Sequence, residues 1–384
     1  MHSVYDFIIS ASHSECSVVT LQNQFDIIVA ADKLNELFET AYLHGVFPLI
    51  YSKLKLLNID NDILEIFKKE NRYIAQINMR RTSELLEVIE LFNKNNIDYM
   101  AIKGPVLSQL IHDDISQRQY SDLDILVKQE SVSMVGKLLE EHNYKASHNV
   151  EFLQNKILLK VGKEFEFFHI TSNNLLELHW KLFTNKDISE KRLKSFSYSY
   201  QNILISHKKV RTLNIEGLLI YLSLHGSKHY WERLAWVVDI DRLISQNSIK
   251  WERIKRIVFN MKNEKTFYLG LLVSVHLFQT KLPKDILLKA ESFKDISLAV
   301  DNIVKLLYSN IIKIEEDNKV SQIEKIINIA QIKDTNLNSL RHYFFALLQL
   351  KELDVYVINL PYLLSPLYYV IRVFRMLFKL RKIK

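Results

Sequence analysis

The sequence predicts a mixed α/β protein of the α+β kind, in which a small mixed sheet is flanked by N-terminal and C-terminal helical regions and helix predominates overall. Only 7 glycines and 5 prolines occur in 384 residues, which argues against an all-β protein with many turns. A few short segments between residues 99 and 182 alternate apolar and polar positions, as half-buried strands do. Most of the remaining chain carries its apolar residues at helical spacing.

Three regions follow from this pattern. Residues 1–78 have helical spacing, as in Leu34, Leu37, Phe38 and Ala41, and we expect an N-terminal helical region there. Residues 79–205 are expected to hold the catalytic α/β core, whose first helix spans residues 82–93 and begins at a capping Thr82. Residues 206–384 are expected to form a C-terminal helical domain that ends in a basic amphipathic tail.

The first strand of the core is predicted at residues 99–103, before the sequence Lys103-Gly104-Pro105. Gly104 allows the backbone to approach a ligand closely, and Pro105 suits the first position of the next helix. The free N–H groups of that helix favour a phosphate, and Lys103 adds a positive charge. Arg118 is a second candidate for phosphate contact because its guanidinium donors match phosphate oxygens.

The second strand is predicted at residues 121–127. Asp122 and Asp124 are two positions apart, so both carboxylates point to one face while Leu123 and Ile125 point into the core. Two such charges indicate a hard cation such as Mg²⁺ or Mn²⁺ between them, and a pair of ions suits in-line phosphoryl transfer. A helix at residues 129–141 follows.

A hairpin is predicted from strands at residues 165–170 and 175–182, joined by a polar turn at residues 171–174. Within it, Leu176 and Leu178 flank Glu177 and place its carboxylate on the opposite face. His179 shares that face, so it is a candidate for orienting Glu177 as well as an ordinary packing residue.

The chain is helical almost throughout after residue 206, with an interruption at residues 282–284 and a polar linker at residues 315–318. The stretch 219–243 is expected to form one or two helices. His225 and His229 share a helix face there, but no glutamate follows His225, which disfavours a zinc hydrolase site.

Two interpretations of this stretch stay open. In one, its histidines pack between helices and Trp231 and Trp236 are core aromatics. In the other, it is a functional wall in which Lys228 or His229 reaches a triphosphate, and Trp231 or Arg233 shapes a nucleotide or acceptor pocket. Asp239 is expected to orient a basic neighbour rather than to bind metal.

Several of these segments together resemble a known family. The segments are Lys103-Gly104, Arg118, Ser121-Asp122-Leu123-Asp124, Glu177-Leu178-His179-Trp180, and the run from His225 to Asp239. In order and spacing they are similar to the bacterial family of uncharacterised nucleotidyltransferases, a branch of the DNA polymerase β-like nucleotidyltransferase superfamily. The resemblance covers about residues 80–245.

The resemblance implies a metal-dependent transfer of a nucleoside monophosphate from a nucleoside triphosphate such as ATP to an acceptor hydroxyl or phosphate, with release of pyrophosphate. It implies that Asp122 and Asp124 bind Mg²⁺ or Mn²⁺ and that Glu177 is the third carboxylate, which is usually the base. Lys103, Gly104, Arg118 and Ser121 then belong to the phosphate side. The superfamily's usual Gly-Ser or Gly-Gly is Gly104-Pro105 here, so a serine hydroxyl is missing. The acceptor remains open among a small metabolite, a sugar or glycan precursor, a peptide and RNA.

Composition sets further limits. A net charge of +7 suits an anionic substrate but is too small to indicate a genome-binding protein. The single cysteine, Cys16, excludes an internal disulfide. The first residues lack the pattern of a signal peptide, so we expect a cytoplasmic enzyme.

The tail at residues 368–384 combines apolar positions with six basic residues. It is expected either to dock on its own domain or to contact a membrane surface or an acidic partner peripherally, and it is not a transmembrane span. Two rival functions use the same fold: a catalytically silent scaffold that works through this basic surface, and a toxin-like enzyme that modifies tRNA or protein.

Overall fold

The structure is a computed structural model that describes residues 3–13, 15–183, 199–309 and 350–378 of the chain. The linker expected at residues 315–318 lies outside these residues. Within them the protein is a mixed α/β structure with a small mixed sheet, as predicted.

Five helices precede the sheet: α1 (Ser3–Ser12), α2 (Val18–Ala30), α3 (Leu34–Leu43), α4 (Phe47–Leu54) and α5 (Asn61–Lys94). The side chain of Asp60 caps α5 by accepting a hydrogen bond from the N–H of Asp62. The predicted helix start at Thr82 is therefore wrong. The Thr82 hydroxyl lies inside α5 and donates to the carbonyl of Asn78 at 2.7 Å. Helix α5 also runs across the expected boundary at residue 78, and the division into three regions stays a prediction.

The central sheet has five strands in the order β1-β2-β5-β4-β3. They are β1 (Tyr99–Ala101), β2 (Asp122–Val127), β3 (Tyr144–Ala146), β4 (Glu164–His169) and β5 (Leu175–His179). Strands β2 and β5 are parallel, and every other neighbouring pair is antiparallel. The predicted hairpin is the β4–β5 pair, and the predicted strand at residues 121–127 is β2.

Three helices connect these strands: α6 (Gly104–His112), α7 (Val132–Glu140) and α8 (Lys156–Val161). A 3-10 turn at Gln129–Ser131 precedes α7, so the helix expected at residues 129–141 begins as a tighter turn. A separate hairpin of β6 (Tyr200–Ile205) and β7 (Lys208–Leu213) follows the sheet.

The C-terminal part begins with α9 (Ile215–Lys228), α10 (Leu234–Gln246), α11 (Trp251–Met261), α12 (Glu264–Phe278), α13 (Lys284–Glu291) and α14 (Lys294–Ser309). The stretch 219–243 thus forms two helices, and the interruption at residues 282–284 falls between α12 and α13, as expected.

Two short elements close the described chain, α15 (Glu352–Tyr356) and α16 (Leu367–Phe378). Helix α16 docks through the buried Tyr368 and through Arg372 and Arg375, which both pair with the buried Asp354. Residues 379–384 of the predicted tail lie outside the described chain, and its contact with a membrane or an acidic partner stays a prediction. No helix among the described residues is long and apolar enough to cross a membrane.

Strand β2 separates two hydrophobic cores. Leu123 and Ile125 pack into the core formed by the sheet with the second half of α5, and Leu126 packs into the core shared by the N-terminal and C-terminal helices. Because side chains alternate along a strand, Asp122 and Asp124 lie on the face of Leu126. The acidic pair therefore faces the helices.

Candidate active site

The acidic residues lie on neighbouring strands in register. Asp124 on β2 pairs with Glu177 on the parallel strand β5, and His179 on β5 lies opposite Glu164 on β4. Residues two apart share a face, so Asp122 and His179 point to the same side as this pair. The sheet register therefore concentrates carboxylates at one place, as the sequence predicts.

Asp124 is the most enclosed of these groups, with a side chain that has no exposed surface. Its Oδ1 lies 3.4 Å from Lys103 Nζ and 3.0 Å from His179 Nε2. Burial raises the pKa of Asp124, but the positive charge of Lys103 and the hydrogen bond from His179 outweigh it and hold the pKa well below its usual range. Asp124 is therefore ionised at neutral pH.

The second oxygen of Asp124, Oδ2, is buried and has no hydrogen-bond partner among the residues that the structure describes. A buried carboxylate oxygen without a partner is costly unless a cation or water completes it. His179 Nε2 is also 3.2 Å from Glu177 Oε2, and ligand atoms of Asp124, Glu177 and His179 lie within 4.8 Å of one another. This donor set fits a divalent cation.

The cluster differs from the expected ligand set. Asp122, Asp124 and Glu177 were expected to hold the metal, whereas the structure groups His179 with Asp124 and Glu177. His179 Nδ1 lies 3.3 Å from Glu164 Oε2 without hydrogen-bond geometry. Burial opposes ionisation of Glu177, but the hydrogen bond from His179 contributes to a lowered pKa for that carboxyl. His179 thus lies within 3.3 Å of three carboxylates, and its role in orienting Glu177 stays a prediction.

A pocket of about 270 Å³ opens beside this cluster. It is lined by Gly45, Lys103, Arg118, Gln119, Tyr120, Ser121, Asp122, Lys163, Glu164, Glu177, His225, Lys228, His229, Arg233, Ala235 and Trp236. Five lysines and arginines face three carboxylates across this volume. The excess of positive charge suits a polyanion, and the carboxylates suit a cation bound with it.

Two ionisable groups in the pocket have strongly shifted pKa values. Burial, and next the negative charge of Asp124, raise the pKa of Asp122 to about 6. Burial, and next the positive charge of Lys228, lower the pKa of Lys163 to about 8. Both shifts make the charged forms less favourable than in water, and an anion bound together with its cation would stabilise the charged forms of Lys163 and Asp122.

Gly104 fixes the backbone between Lys103 and α6. Its φ is +55°, and a Cβ there would lie 3.2 Å from the carbonyl oxygen of Asp122. Glycine takes this left-handed conformation without strain. The residue therefore brings the start of α6 against the acidic strand, and the expected approach of this backbone to a ligand stays a prediction.

The loop before Asp122 is held from two sides. Arg118 donates from Nε and one terminal nitrogen to the two oxygens of Asp239 on α10, at 2.9 and 3.0 Å. From α5, the Asn78 amide donates to the carbonyls of Ile115 and Arg118 at 3.1 and 2.8 Å. The expectation that Asp239 orients a basic neighbour is confirmed, and that neighbour is Arg118.

The residues of the helical wall divide between the pocket lining and the core. His225, Lys228, His229 and Arg233 line the pocket. Trp231 is completely buried, and its indole Nε1 donates to Ser227 at 3.3 Å. Trp231 is therefore a core aromatic, and the tryptophan in the pocket wall is Trp236.

Sequence reasoning missed part of the wall. Lys163 and Glu164 form an ion pair at the start of β4, and the alternation of Glu164 with Phe165 was the available signal. Gly45 and Ala235 meet because the N–H of Ala235 donates to the carbonyl of His44 at 3.0 Å. That hydrogen bond joins residues 191 positions apart in the chain, and no local pattern in the sequence predicts it.

The fold and the pocket define a class: an α/β protein whose sheet presents partly buried carboxylates to a cation-lined pocket, an arrangement suited to metal-assisted chemistry on a polyanion. A family model described as uncharacterised nucleotidyltransferase matches residues 31–279, well over half of the chain. The protein belongs to this family. The match also begins earlier and ends later than the resemblance seen in the sequence, so the family includes most of the N-terminal helices.

Comparison with solved structures gives two distant neighbours. The antibiotic-resistance factor ANT(2'')-Ia is 9% identical, with a TM-score of 0.35 over 52% of this chain and 98% of that one. An antigenic nucleotidyltransferase-like protein from Paracoccidioides brasiliensis is 13% identical, with a TM-score of 0.33 over 60% of this chain and 91% of that one. The comparison with curated proteins finds no match.

Proposed function

We propose that the protein is a metal-dependent enzyme that transfers a nucleoside monophosphate from a nucleoside triphosphate to a hydroxyl or phosphate of an acceptor. We also propose that it belongs to the DNA polymerase β-like superfamily. The observation that carries the proposal is the register of Asp124 with Glu177 on two parallel strands, beside a pocket with five cationic side chains. Family membership supports the reaction class.

Asp124, Glu177 and His179 would hold the cation, with Asp122 beside them in the pocket wall. When bound, Mg²⁺ or Mn²⁺ supplies positive charge against the phosphate oxygens. The free Oδ2 of Asp124 is the oxygen that such an ion would complete. The imidazole of His179 suits Mn²⁺ better than Mg²⁺ when it is a direct ligand.

The chain's own cations would bind the triphosphate. One pocket is lined by Lys103, Arg118, Lys163, Lys228 and Arg233. Their charges would neutralise the phosphate oxygens as the bond to the leaving pyrophosphate weakens. Lys103 is held at the acidic cluster by Asp124, while Lys228 and Arg233 are exposed on the helical wall. Positioning and charge neutralisation supply most of the catalysis in such reactions.

The transfer is a single displacement at the α-phosphorus. An acceptor oxygen forms a bond to the α-phosphorus, the bond from that phosphorus to the bridging oxygen breaks, and the electron pair leaves with pyrophosphate. The acceptor's proton passes to the Glu177 carboxylate, which lines the pocket and has a lowered pKa. A lowered pKa makes Glu177 a weak base, so charge neutralisation carries more of the rate than proton transfer does.

A pyrophosphate-release assay tests the proposal. Purified protein is incubated with each labelled nucleoside triphosphate, with Mg²⁺ or Mn²⁺, and with pools of metabolites, sugar phosphates, peptides or RNA. We expect metal-dependent release that falls by about 100-fold or more in Asp124→Asn and Glu177→Gln. Asp98→Asn, at an exposed carboxylate outside the pocket, is the matched control and keeps full activity.

Absence of both pyrophosphate release and metal-dependent nucleotide binding with every pool would contradict the proposal. Growth arrest of an expression host that requires Asp122 and Asp124 would identify the toxin-like form of the same enzyme.

A further inference from the structure

Three aromatic rings cluster on the helical wall of the pocket. The ring of His225 lies 4.7 Å from that of His229 and 5.5 Å from that of Trp236, and His229 lies 5.5 Å from Trp236, measured between centroids. All three line the pocket and are partly exposed. A solvent-facing aromatic cluster inside a charged pocket needs a reason beyond core packing.

The corner between α9 and α10 places these rings. Helix α9 ends at Lys228, and Tyr230 and Trp231 take positive φ values of 55° and 53°. The buried Trp231 ring packs so closely on α9 that a Cβ at Gly226 would lie 2.6 Å from it. The chain reverses direction at this corner, so Trp236 in the first turn of α10 packs against the end of α9. The rings are therefore held by a rigid corner.

Cationic groups flank the same rings. Lys228 lies between His225 and His229 in sequence, Arg233 precedes Trp236 by three residues, and both cations are exposed and line the pocket. Asp122, Glu164 and Glu177 form another part of the lining. A ligand that satisfies all of these groups has a flat, uncharged ring system joined to a polyanion that carries a metal ion.

We propose that Trp236 and His229 form the nucleobase subsite, on which the base of the nucleoside triphosphate stacks, and that His225 supports both rings from behind. This inference rests on the proposed function and adds the part of the substrate that these rings bind. Every nucleobase has a π-face, so stacking alone gives affinity with little choice among bases. We therefore expect the four triphosphates to bind within about tenfold of one another.

Calorimetric titration can distinguish the affinity contributed by the base from the affinity contributed by the phosphates. MgATP and magnesium tripolyphosphate are titrated into the wild-type chain and into Trp236→Leu, Trp236→Phe and Trp251→Leu. Trp251 is the first residue of α11, and it is not among the described residues that line the pocket. Its replacement is the matched control for the loss of an indole. Thermal unfolding confirms that each variant is folded.

Trp236→Leu is expected to weaken MgATP binding by roughly 5- to 150-fold, the range for losing one stacked base. Tripolyphosphate has no base, so its affinity should change less than twofold. Trp236→Phe should retain most of the affinity, and Trp251→Leu should match the wild type. MgATP should also quench tryptophan emission, and the quenching should shrink in Trp236→Phe but persist in Trp251→Phe.

Equal weakening of MgATP and tripolyphosphate in Trp236→Leu, or no weakening of MgATP, overturns the nucleobase subsite while leaving the proposed function in place. If Trp236→Leu does not fold, unchanged quenching in Trp236→Phe overturns it instead. If the wild type binds neither ligand with metal, the proposed function fails, and this inference falls with it.

Discussion

The buried pair of Arg118 and Asp239 gives the sharpest prediction of stability. Arg118 is 7% exposed and Asp239 is 1% exposed, and two hydrogen bonds join them. Asp239→Asn keeps the shape of the side chain but removes the charge, and it turns one amide nitrogen toward a guanidinium donor. Removing one partner of a buried pair costs about 3–5 kcal/mol because the other charge stays buried.

The expected value lies at the lower end of that range. Arg118 also interacts with the charges of Asp122 and Asp124, which partly compensate it when Asp239 is neutral. We therefore expect Asp239→Asn to lower the free energy of unfolding by about 3 kcal/mol, measured by urea denaturation at neutral pH. Total stabilities of about 5–15 kcal/mol make this a large loss.

Two further variants sharpen the measurement. Asp98 forms an ion pair with Lys128 in which both side chains are more than half exposed, so Asp98→Asn should cost about 0–1 kcal/mol. Replacing both Arg118 by Met and Asp239 by Leu removes the unpaired charge and should recover most of the stability. If Asp239→Asn costs no more than Asp98→Asn, the pair does not anchor the loop before Asp122, and this reasoning is refuted.

Three other predictions test the surroundings of the site. Burial, and next the positive charge of Arg233, lower the pKa of His44 to about 4, so its neutral imidazole stabilises the fold above pH 6.5. About 3 kcal/mol of the free energy of unfolding is lost as the pH falls from 6.5 to 4, and His44→Gln should flatten that pH dependence in unfolding experiments. Gly104→Ala should destabilise the protein by about 1–2 kcal/mol because φ is positive at this position, and it should lower pyrophosphate release because Lys103 moves. Wild-type stability together with wild-type pyrophosphate release would contradict the role of Gly104. Asn78→Ala removes one buried and one partly buried hydrogen bond and should lower the free energy of unfolding by about 1–3 kcal/mol in urea denaturation, whereas a cost near zero would mean that α5 does not hold the loop.

Local patterns in the sequence predicted the sheet and most of its acidic residues. Alternation around Asp122, Asp124 and Glu177 placed their carboxylates on one face of each strand, and the structure has both strands paired in parallel. Gly104 was expected for its backbone freedom, and its φ is positive, while the expected approach to a ligand stays a prediction. These features depend on residues near one another in the chain.

Features that depend on distant contacts were missed or misjudged. Thr82 was predicted to cap a helix because hydroxyl side chains favour cap positions, but α5 continues through Thr82. The sequence left Trp231 open between core and pocket, and the structure buries it and places Trp236 in the pocket wall. The two positive φ values at this corner are not revealed by the residue types. His44 and Ala235 meet only in the folded protein.

The central claim is that the carboxylate cluster binds a divalent cation together with a nucleoside triphosphate. Titration of Mn²⁺ followed by electron paramagnetic resonance, with and without ATP, measures this directly in the wild-type chain and in Asp124→Asn. We predict that the wild type binds Mn²⁺, that ATP tightens this binding, and that Asp124→Asn loses both effects. Equal Mn²⁺ binding by the two proteins, unaffected by ATP, would contradict the claim.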